Sequence, residues 1–312
     1  MKTVTARIAN EDVTLHAGES AKAGLCRVVD RLIQQALERI SQPGGDPAED
    51  LHFIRTTTKR LRALLRLLRP GISPRLFERE NARLKGIARR FASARDSSVA
   101  RQTLDELTQR TAKRRQNTRA EVSSLLQRVT PAPSSTAHDD AMRMAARDLE
   151  QARCTFGRLR ATADDWHTLG PGLHCTYQQT RSRMKAAFAH ESDRAFHRWR
   201  AFVKALCYEL QTLEPVWPGR LGKTVASLRK LGHMLGADHD LSVLISLLEN
   251  APQKGDDAGE RAIACAHKES RHLRRTCRTL GDAIFADRPR CFIRKFRKHW
   301  NFWRNPLRKT AP

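Results

Sequence analysis

The sequence predicts an all-α protein, and three features of its 312 residues support that prediction. Leu, Ala and Arg dominate the composition, and all three are good helix formers. Long stretches free of proline carry apolar side chains three and four residues apart, as an amphipathic helix requires. No stretch alternates apolar and polar residues in the manner of a β-strand. The chain also repeats one helical pattern, which predicts two copies of one helical unit.

Short clusters rich in proline, glycine and small polar residues predict the turns between the helical stretches. Between the clusters, apolar residues recur at helical spacing, for example at Val28, Leu32, Ala36 and Ile40. A further helix is predicted at Ser97–Asn117. The six clusters are Ser41–Asp46, Pro70–Pro74, Thr130–Ser135, Ala161–Gly172, Pro215–Gly222 and Ala251–Gly259.

One helical stretch occurs twice. Leu51–Pro70 and Phe196–Pro215 agree at seven of twenty positions when they are aligned 145 residues apart. A second pair of blocks, Leu84–Val99 and Leu228–Val243, follows in the same order at an offset of 144 residues. Ordered blocks at a nearly constant offset predict two copies of one helical unit.

The duplication sets the predicted domain organisation. A chain of this length is long enough for two domains or for one duplicated domain. We expect one duplicated domain over residues 13–305, with a first helical half at about 13–135 and a second at about 136–305. Residues 1–12 and 306–312 are expected to be short tails.

The first copy carries a row of basic side chains, here called the first stripe. No acid occurs between Leu51 and Pro70, so like charges three and four residues apart repel by about 0.2–0.5 kcal/mol per pair. A ligand that supplied the counter-charge would relieve this repulsion, and a guanidinium group donates two parallel hydrogen bonds to phosphate. An ordinary solvated basic face is the alternative interpretation. The first stripe, at steps of three and four residues, consists of His52, Arg55, Lys59, Arg62, Arg66 and Arg69.

The helix of the first stripe is expected to be about 27 Å long. Asp50 is its predicted N-cap, and Pro70 is predicted to end it. Its other face is apolar, so we expect that face to pack into the bundle and the first stripe to face away. The apolar positions are Ile54, Thr58, Leu61, Leu65 and Leu68.

The second copy carries a shorter basic row, the second stripe, made of His197, Arg200 and Lys204. Where the first stripe continues with three arginines, the second copy has no basic residue. We therefore expect the first half to contribute more of the affinity for a ligand. The histidine that opens each stripe is expected to face that ligand. Weaker candidates on the next helix of each copy are Lys85, Arg89, Arg229 and His233.

The sequence offers no catalytic or metal-binding motif. His233, Asp238, His239 and Asp240 are close together but do not form HExxH, and no P-loop or GxSxG motif occurs. Phosphoryl transfer usually requires acids that hold divalent metals, and the stripes have none. We therefore expect no enzymatic activity, no cofactor and no bound metal. Asp96 and Asp240, at equivalent positions, are predicted to be N-caps or partners of a nearby arginine.

The charge balance points to an anionic partner. Lys and Arg total 58 against 33 Asp and Glu, a formal charge of +25 that opposes folding by self-repulsion. Nucleic acid, an anionic membrane surface or polyphosphate would relieve it. The seven scattered cysteines are typical of free thiols in a reducing compartment. Because the chain shows neither a signal peptide nor a long apolar span, we expect a cytoplasmic protein.

Nucleic-acid binding is the alternative function, and the C-terminal region favours it. Arg288–Lys309 contains nine basic residues and no acid, interleaved with aromatic residues that can stack on bases. Four of these aromatics have helical spacing, which favours a face packed on the bundle instead. No zinc finger or RNP motif accompanies them. The four aromatics are Phe292, Phe296, Trp300 and Trp303.

Together these motifs resemble the CHAD domain, the histidine-containing α-helical domain. The pattern HxxRxxxKxxR, from His52 to Arg62, and the ARD block at Ala94–Asp96 resemble its first half. His197–Leu210 and Leu235–Leu244 resemble its second half. The resemblance extends over nearly the whole chain and is carried by an ordered, duplicated set of motifs.

The resemblance implies two helical bundles related by a pseudo-two-fold axis, with basic residues around a central cleft or pore. It also implies binding of inorganic polyphosphate without hydrolysis, and association with polyphosphate granules and their proteins. Cys207 departs from the family pattern, where the second motif often continues with a cation, so the site is expected to be asymmetric. The family's basic positions fall on His52, Arg55, Lys59, Arg62, His197, Arg200 and Lys204.

Overall fold

The fold consists of α-helices and short turns throughout the part of the chain that the structure describes. The computed structural model describes residues 13–42, 46–91, 103, 135–158, 165–250 and 257–305. Within them the chain forms nine α-helices and no β-strand, which confirms the predicted all-α class. None of these helices is long and apolar enough to cross a membrane. The helices are α1 (Ala21–Ser41), α2 (Pro47–Leu68), α3 (Pro74–Arg90), α4 (Ser135–Gly157), α5 (Asp165–His190), α6 (Asp193–Thr212), α7 (Pro218–Glu249), α8 (Asp257–Ile284) and α9 (Pro289–Arg304).

Helix α2, which carries the first stripe, begins earlier than predicted. Asp46 is its N-cap and accepts a hydrogen bond from the backbone N–H of Ala48 at 2.9 Å. The predicted N-cap, Asp50, lies instead inside the first turn, where it is buried and accepts a hydrogen bond from Arg39 at 2.7 Å. At its other end α2 stops two residues before Pro70, as predicted.

Helix α5 runs through a segment that was predicted to be a turn. It begins at Asp165 and includes Pro171, so the turn prediction for Ala161–Gly172 is wrong from Asp165 onward. Gly172 serves a close helix contact: a Cβ atom there would lie 1.9 Å from the backbone oxygen of Leu67 in α2. The small residue therefore allows α5 to pack directly on the backbone of α2.

Helix α7 is continuous over 32 residues. Asp240 lies inside it, so the prediction that Asp240 caps a helix N-terminus is wrong. The equivalent Asp96, the Ala94–Asp96 block and both predicted tails lie outside the described residues, as does all of the predicted helix Ser97–Asn117 except residue 103.

One large apolar core joins helices of both predicted halves. Trp199, Tyr177 and Phe296 are its largest fully buried side chains. A second, smaller apolar cluster lies where the end of α7 meets α8. The internal duplication and the central cleft or pore stay predictions. The smaller cluster is formed by Leu241, Leu244, Ile245, Leu248, Ala262 and Ala266.

The helices around the first stripe pack in a defined order. Helix α2 packs on α1, α3, α5 and α6, while α6 packs on α7, and α7 packs on α8. Helix α9 packs on α5 through the aromatic face predicted from its spacing. Phe292 stacks on Tyr177 with ring centres 4.4 Å apart, and Phe296 stacks on Trp166 at 6.0 Å.

Candidate functional site

The first stripe is partly buried between helices, not exposed on the outside of the bundle. Only His52 and Arg69, at its two ends, are exposed. The expectation that the stripe faces away from the bundle is therefore wrong, because α3 and α6 pack along α2. The predicted apolar face of α2 is buried throughout. The four partly buried members of the first stripe are Arg55, Lys59, Arg62 and Arg66.

Arg55 stabilises the end of the neighbouring helix α3. Its Nη1 donates hydrogen bonds to the backbone oxygens of Phe91 at 2.7 Å and Ala88 at 3.3 Å. The last carbonyl groups of a helix lack partners within the helix and favour a nearby cation. Arg55 therefore has a structural function, and its contact with a polyanion stays a prediction.

Arg62 and Arg66 are held as cations in a desolvated position. Arg62 donates from Nε to Oδ1 of Asn81 in α3 at 3.0 Å. Burial, assisted by the charge of Arg66, lowers the pKa of Arg62 to about 10. Burial also lowers the pKa of Arg66, an effect that Glu209 opposes and Arg69 increases. A cation whose pKa is lowered in this way is destabilised by the fold, so a nearby anion would stabilise it.

Glu209, in α6, is a weak counter-charge for Arg66. Its side chain is fully buried, and Oε1 accepts a hydrogen bond from Thr176 at 3.0 Å. Burial raises the pKa of Glu209 well above its usual value, although the Thr176 hydrogen bond and the charge of Arg66 act in the opposite direction. The carboxyl group is thus displaced towards its neutral form, which weakens the counter-charge that it offers to Arg66.

Arg60 belongs to the same cationic region, and the sequence interpretation missed it. Its guanidinium carbon lies 5.4 Å from the centre of the Tyr208 ring in α6. Within the described residues its Nε and Nη1 atoms are buried without a hydrogen-bond partner. Burial lowers the pKa of Arg60; Tyr208 opposes that shift and the charge of Arg229 adds to it. Arg60 was missed because its position is one residue out of step with the first stripe. The signal that could have identified it is the absence of acids from the segment around it.

An aromatic ring connects the first stripe with a third helix. Phe202, in α6, has the guanidinium carbon of Arg66 at 5.5 Å from its centre and that of Arg183 at 5.6 Å. Arg183 lies on α5 and is half-buried. Sequence reasoning missed Arg183 because it belongs to neither repeated block, and only the packing of α5 beside α6 places it near Arg66.

The second stripe lies on α6 against two glycines of α7. Arg200 is buried, and a Cβ atom on Gly236 would lie 3.4 Å from its Nη2. A Cβ on Gly232 would lie 3.8 Å from Cγ of Lys204. The glycines, one helical turn apart, therefore let α7 approach the long basic side chains of α6. His197 is exposed, and its ring centre lies 4.4 Å from that of His239 in α7.

The weaker candidates differ in how closely they approach this region. Arg229 is exposed on α7, and its charge acts on both Arg60 and Cys207. Cys207 is buried, and burial raises the pKa of its thiol to about 11 despite those nearby cations. Cationic groups of α2 and α7 thus meet beside α6. The remaining candidates, exposed on α3 and α7, are Lys85, Arg89 and His233.

Asp238, from the segment His233–Asp240, links three helices. Asp238 is buried in α7 and accepts hydrogen bonds from Ser270 at 2.6 Å and from Arg274 at 2.9 Å. Arg274 also pairs with Asp193 at the start of α6. This network ties α6, α7 and α8 together. The seven cysteines, all within the described ranges, are free thiols.

Comparisons with known proteins agree with the architecture. A family model described as the CHAD domain matches residues 23–249. No curated protein matches the chain. The crystal structure of the CHAD domain from the plant Ricinus communis is similar in fold, with 19% sequence identity and a TM-score of 0.50; the similarity covers 93% of this chain and 94% of that one. Since the family model spans more than half of the sequence, the chain belongs to the CHAD domain family.

Proposed function

We propose that this protein binds inorganic polyphosphate through the first and second stripes and does not hydrolyse it. The observation that carries the proposal is the desolvated, poorly compensated positive charge of Arg62 and Arg66. Membership of the CHAD family supports the choice of ligand, because that family generally binds polyphosphate. A bound phosphate chain would supply the counter-charge that the protein itself provides poorly.

The extent of the cationic region favours a polymer over a small anion. The first stripe presents a basic side chain at nearly every turn of α2. Arg60 with Arg229 extends the positive charge to α7, and Arg66 with Arg183 extends it to α5. Guanidinium groups on several helices suit successive phosphates of one chain, each of which accepts charge-assisted hydrogen bonds.

Two buried acids, on α6 and α7, have hydrogen-bond partners within the protein. Glu209 is buried with Thr176, and Asp238 is engaged by Ser270 and Arg274. Metal-assisted phosphoryl transfer would require carboxylates that are open to a divalent ion. We expect no release of orthophosphate when long-chain polyphosphate is incubated with the protein and Mg²⁺, as measured by a colorimetric phosphate assay. Sustained release that disappears with an Arg62→Gln variant would contradict this part of the proposal.

The binding test compares polymers and two charge-matched variants. Long-chain polyphosphate, duplex DNA and single-stranded DNA are titrated at equal phosphate concentration and near-physiological salt. The site variant is Lys59→Gln/Arg62→Gln/Arg66→Gln; Arg55 is left unchanged because it stabilises α3. The control variant removes three exposed cations from three other helices: Arg75→Gln/Arg147→Gln/Lys223→Gln.

We expect the site variant to bind polyphosphate at least about 100-fold more weakly than wild type. Charge-assisted hydrogen bonds contribute about 1.5–3 kcal/mol each, and about 1.4 kcal/mol corresponds to a factor of ten. The control variant should lose less than about three-fold, because it changes only the screened long-range field. Equal losses in both variants would mean that the charge acts diffusely, and the stripes would then not be the site.

Nucleic-acid binding remains a second candidate because of one observation. Helix α9 contains no acid, and Phe302 near its end is 53% exposed among basic residues. Its three most buried aromatics, however, pack on the bundle and cannot stack on bases. Tight duplex or single-stranded DNA binding that Phe302→Ser weakens and the site variant leaves unchanged would favour this second function.

We also propose that polyphosphate binding places the protein on polyphosphate granules. A fluorescent fusion of the wild-type chain should colocalise with stained granules in cells that accumulate polyphosphate. The site variant should remain diffuse, whereas the control variant should behave like wild type. Granule association of the site variant would show that another contact recruits the protein.

A further inference from the structure

Helix α8 carries a further row of basic side chains that lies apart from the first and second stripes. The row, here called the α8 stripe, has the same steps of three, four and three residues as the start of the first stripe. It spans about 15 Å; one acidic residue, Glu269, lies within this range, and none occurs between Ser270 and Gly281. The α8 stripe consists of Lys268, Arg271, Arg275 and Arg278.

The α8 stripe faces solvent. All four of its side chains are exposed. The opposite side of α8 is buried on α7 through Ala262, Ala266 and Cys277. In the described part of the chain, no ion pair is formed by any member of the α8 stripe, and only Arg278 has a ring contact, with Phe188 of α5 at 4.9 Å.

In the described part of the chain, the α8 stripe and the first stripe lie on helices that do not pack along each other. Helix α2 packs on α6, and α7 packs on both α6 and α8. Helix α8 also reaches α6 directly, through the pairing of Arg274 with Asp193. Because the α8 stripe points away from α7, we expect it to bind a different stretch of polymer from the one that lies along α2.

We propose that the α8 stripe is a second polyphosphate-binding surface, so that one protein molecule can cross-link two polyphosphate chains or two distant segments of one chain. This inference rests on the proposed function of the first stripe. The occupant is assigned from charge complementarity and from the shared periodicity: a row of cations one helical turn apart fits a linear chain of phosphates. Linking two binding surfaces in one molecule converts simple binding into network formation with long polymers.

The two surfaces differ in their expected response to salt. The α8 stripe is exposed, so its attraction to phosphate is screened by salt over about 8 Å at physiological ionic strength. The first stripe is half-buried and less accessible to screening ions. Cross-linking should therefore disappear at a lower salt concentration than binding to the first stripe.

The test separates site binding from cross-linking. Affinity is measured with polyphosphate chains of about ten phosphates, which reach only one surface, and cross-linking is measured as turbidity with chains of several hundred phosphates. The stripe variant is Lys268→Gln/Arg271→Gln/Arg275→Gln, which spares Arg278 because of its contact with Phe188. The control is again Arg75→Gln/Arg147→Gln/Lys223→Gln, and thermal unfolding checks that all the proteins are folded.

We expect the stripe variant to keep short-chain affinity within about three-fold of wild type. Its turbidity with long chains should require at least about ten-fold more protein, while the control variant behaves like wild type. Turbidity of the stripe variant equal to that of the control variant would overturn the inference. The inference would also be overturned if the stripe variant lost duplex DNA binding but still cross-linked polyphosphate. Failure of the wild-type protein to bind short chains at all would instead overturn the proposed function of the first stripe.

Discussion

Replacing Arg60 by methionine should stabilise the protein and weaken polyphosphate binding at the same time. The guanidinium group of Arg60 is desolvated at the junction of α2, α6 and α7, close to the charge of Arg229. Within the described residues, its buried Nε and Nη1 have no hydrogen-bond partner. Methionine has a similar reach and apolar character but needs no hydrogen bonds and carries no charge.

The expected magnitude follows from these contacts. A buried donor left without a partner costs about 1–3 kcal/mol, and Arg60 has two. The cation–π contact with Tyr208, which methionine would lose, contributes about 0.5–2 kcal/mol in the opposite direction. The net gain in the free energy of unfolding should be about 1 kcal/mol or more, which is a rise of about 2 °C in Tm for a chain of this size. Loss of one charge-assisted phosphate contact should weaken binding by about ten-fold or more.

Two measurements on the same samples check this prediction. Differential scanning calorimetry without ligand gives Tm, and titration with polyphosphate at near-physiological salt gives the affinity. Arg75→Met is the matched control, because Arg75 is exposed at the start of α3. Its Tm should change by less than about 1 °C and its affinity by less than about three-fold, as for most surface substitutions.

A loss of both thermal stability and affinity in Arg60→Met would contradict this prediction. If Arg60→Met lowers both Tm and affinity, the guanidinium group stabilises the fold through Tyr208 and affects binding only indirectly. If Tm rises and affinity is unchanged, Arg60 lies outside the polyphosphate site. Either outcome would remove the argument that uncompensated charge marks this region for a polyanion.

Three further predictions concern the framework of the site. Gly172→Ala should lower the free energy of unfolding by about 3 kcal/mol in denaturant titrations, because its Cβ would lie 1.9 Å from the Leu67 oxygen. Gly86→Ala, whose Cβ meets nothing within 4 Å, should raise it by up to about 1 kcal/mol, and equal effects of the two substitutions would contradict the close contact. Because burial raises the pKa of Glu209 above its usual 4.5, the contribution of Glu209 to stability should fall as pH rises above about 4.5. The stabilisation of Glu209→Gln relative to wild type should therefore grow between about pH 4 and 8, and a constant difference in thermal unfolding would exclude this shift. Asp238→Asn should cost about 3 kcal/mol of unfolding free energy, since it leaves the partly buried Arg274 with a weaker partner, and an unchanged denaturation midpoint would argue against the network.

The sequence was informative wherever a feature depends on neighbours within one helix. Spacing of three and four residues correctly placed the predicted apolar face of α2 in the core, although Leu64 and Leu67, outside that face, are buried as well. The same rule identified the packed aromatic face of α9, since Phe292, Phe296 and Trp300 are all buried. These assignments succeed because helical geometry fixes which side chains share a face, whatever the rest of the fold does.

Local boundary signals were less reliable. Asp50 was predicted to be the N-cap of α2, but Asp46, four residues earlier, caps the helix. The segment around Pro171 looks like a turn, yet helix α5 continues through it because Gly172 packs on the backbone of α2. Tertiary packing outweighed local turn propensity at this position, as it often does when a glycine permits close contact between helices.

The helical class, the family and the basic stripes could be read from the sequence, because they depend on the order of residues along the chain. The tertiary structure was needed to show that the first stripe is half-buried, that Arg60 and Arg183 join it, and that burial weakens Glu209 as its counter-charge. It also showed that the α8 stripe is exposed on the side of α8 that faces away from α7. The physical reason is that desolvation and charge compensation depend on groups distant in sequence, which residue spacing on one helix does not encode.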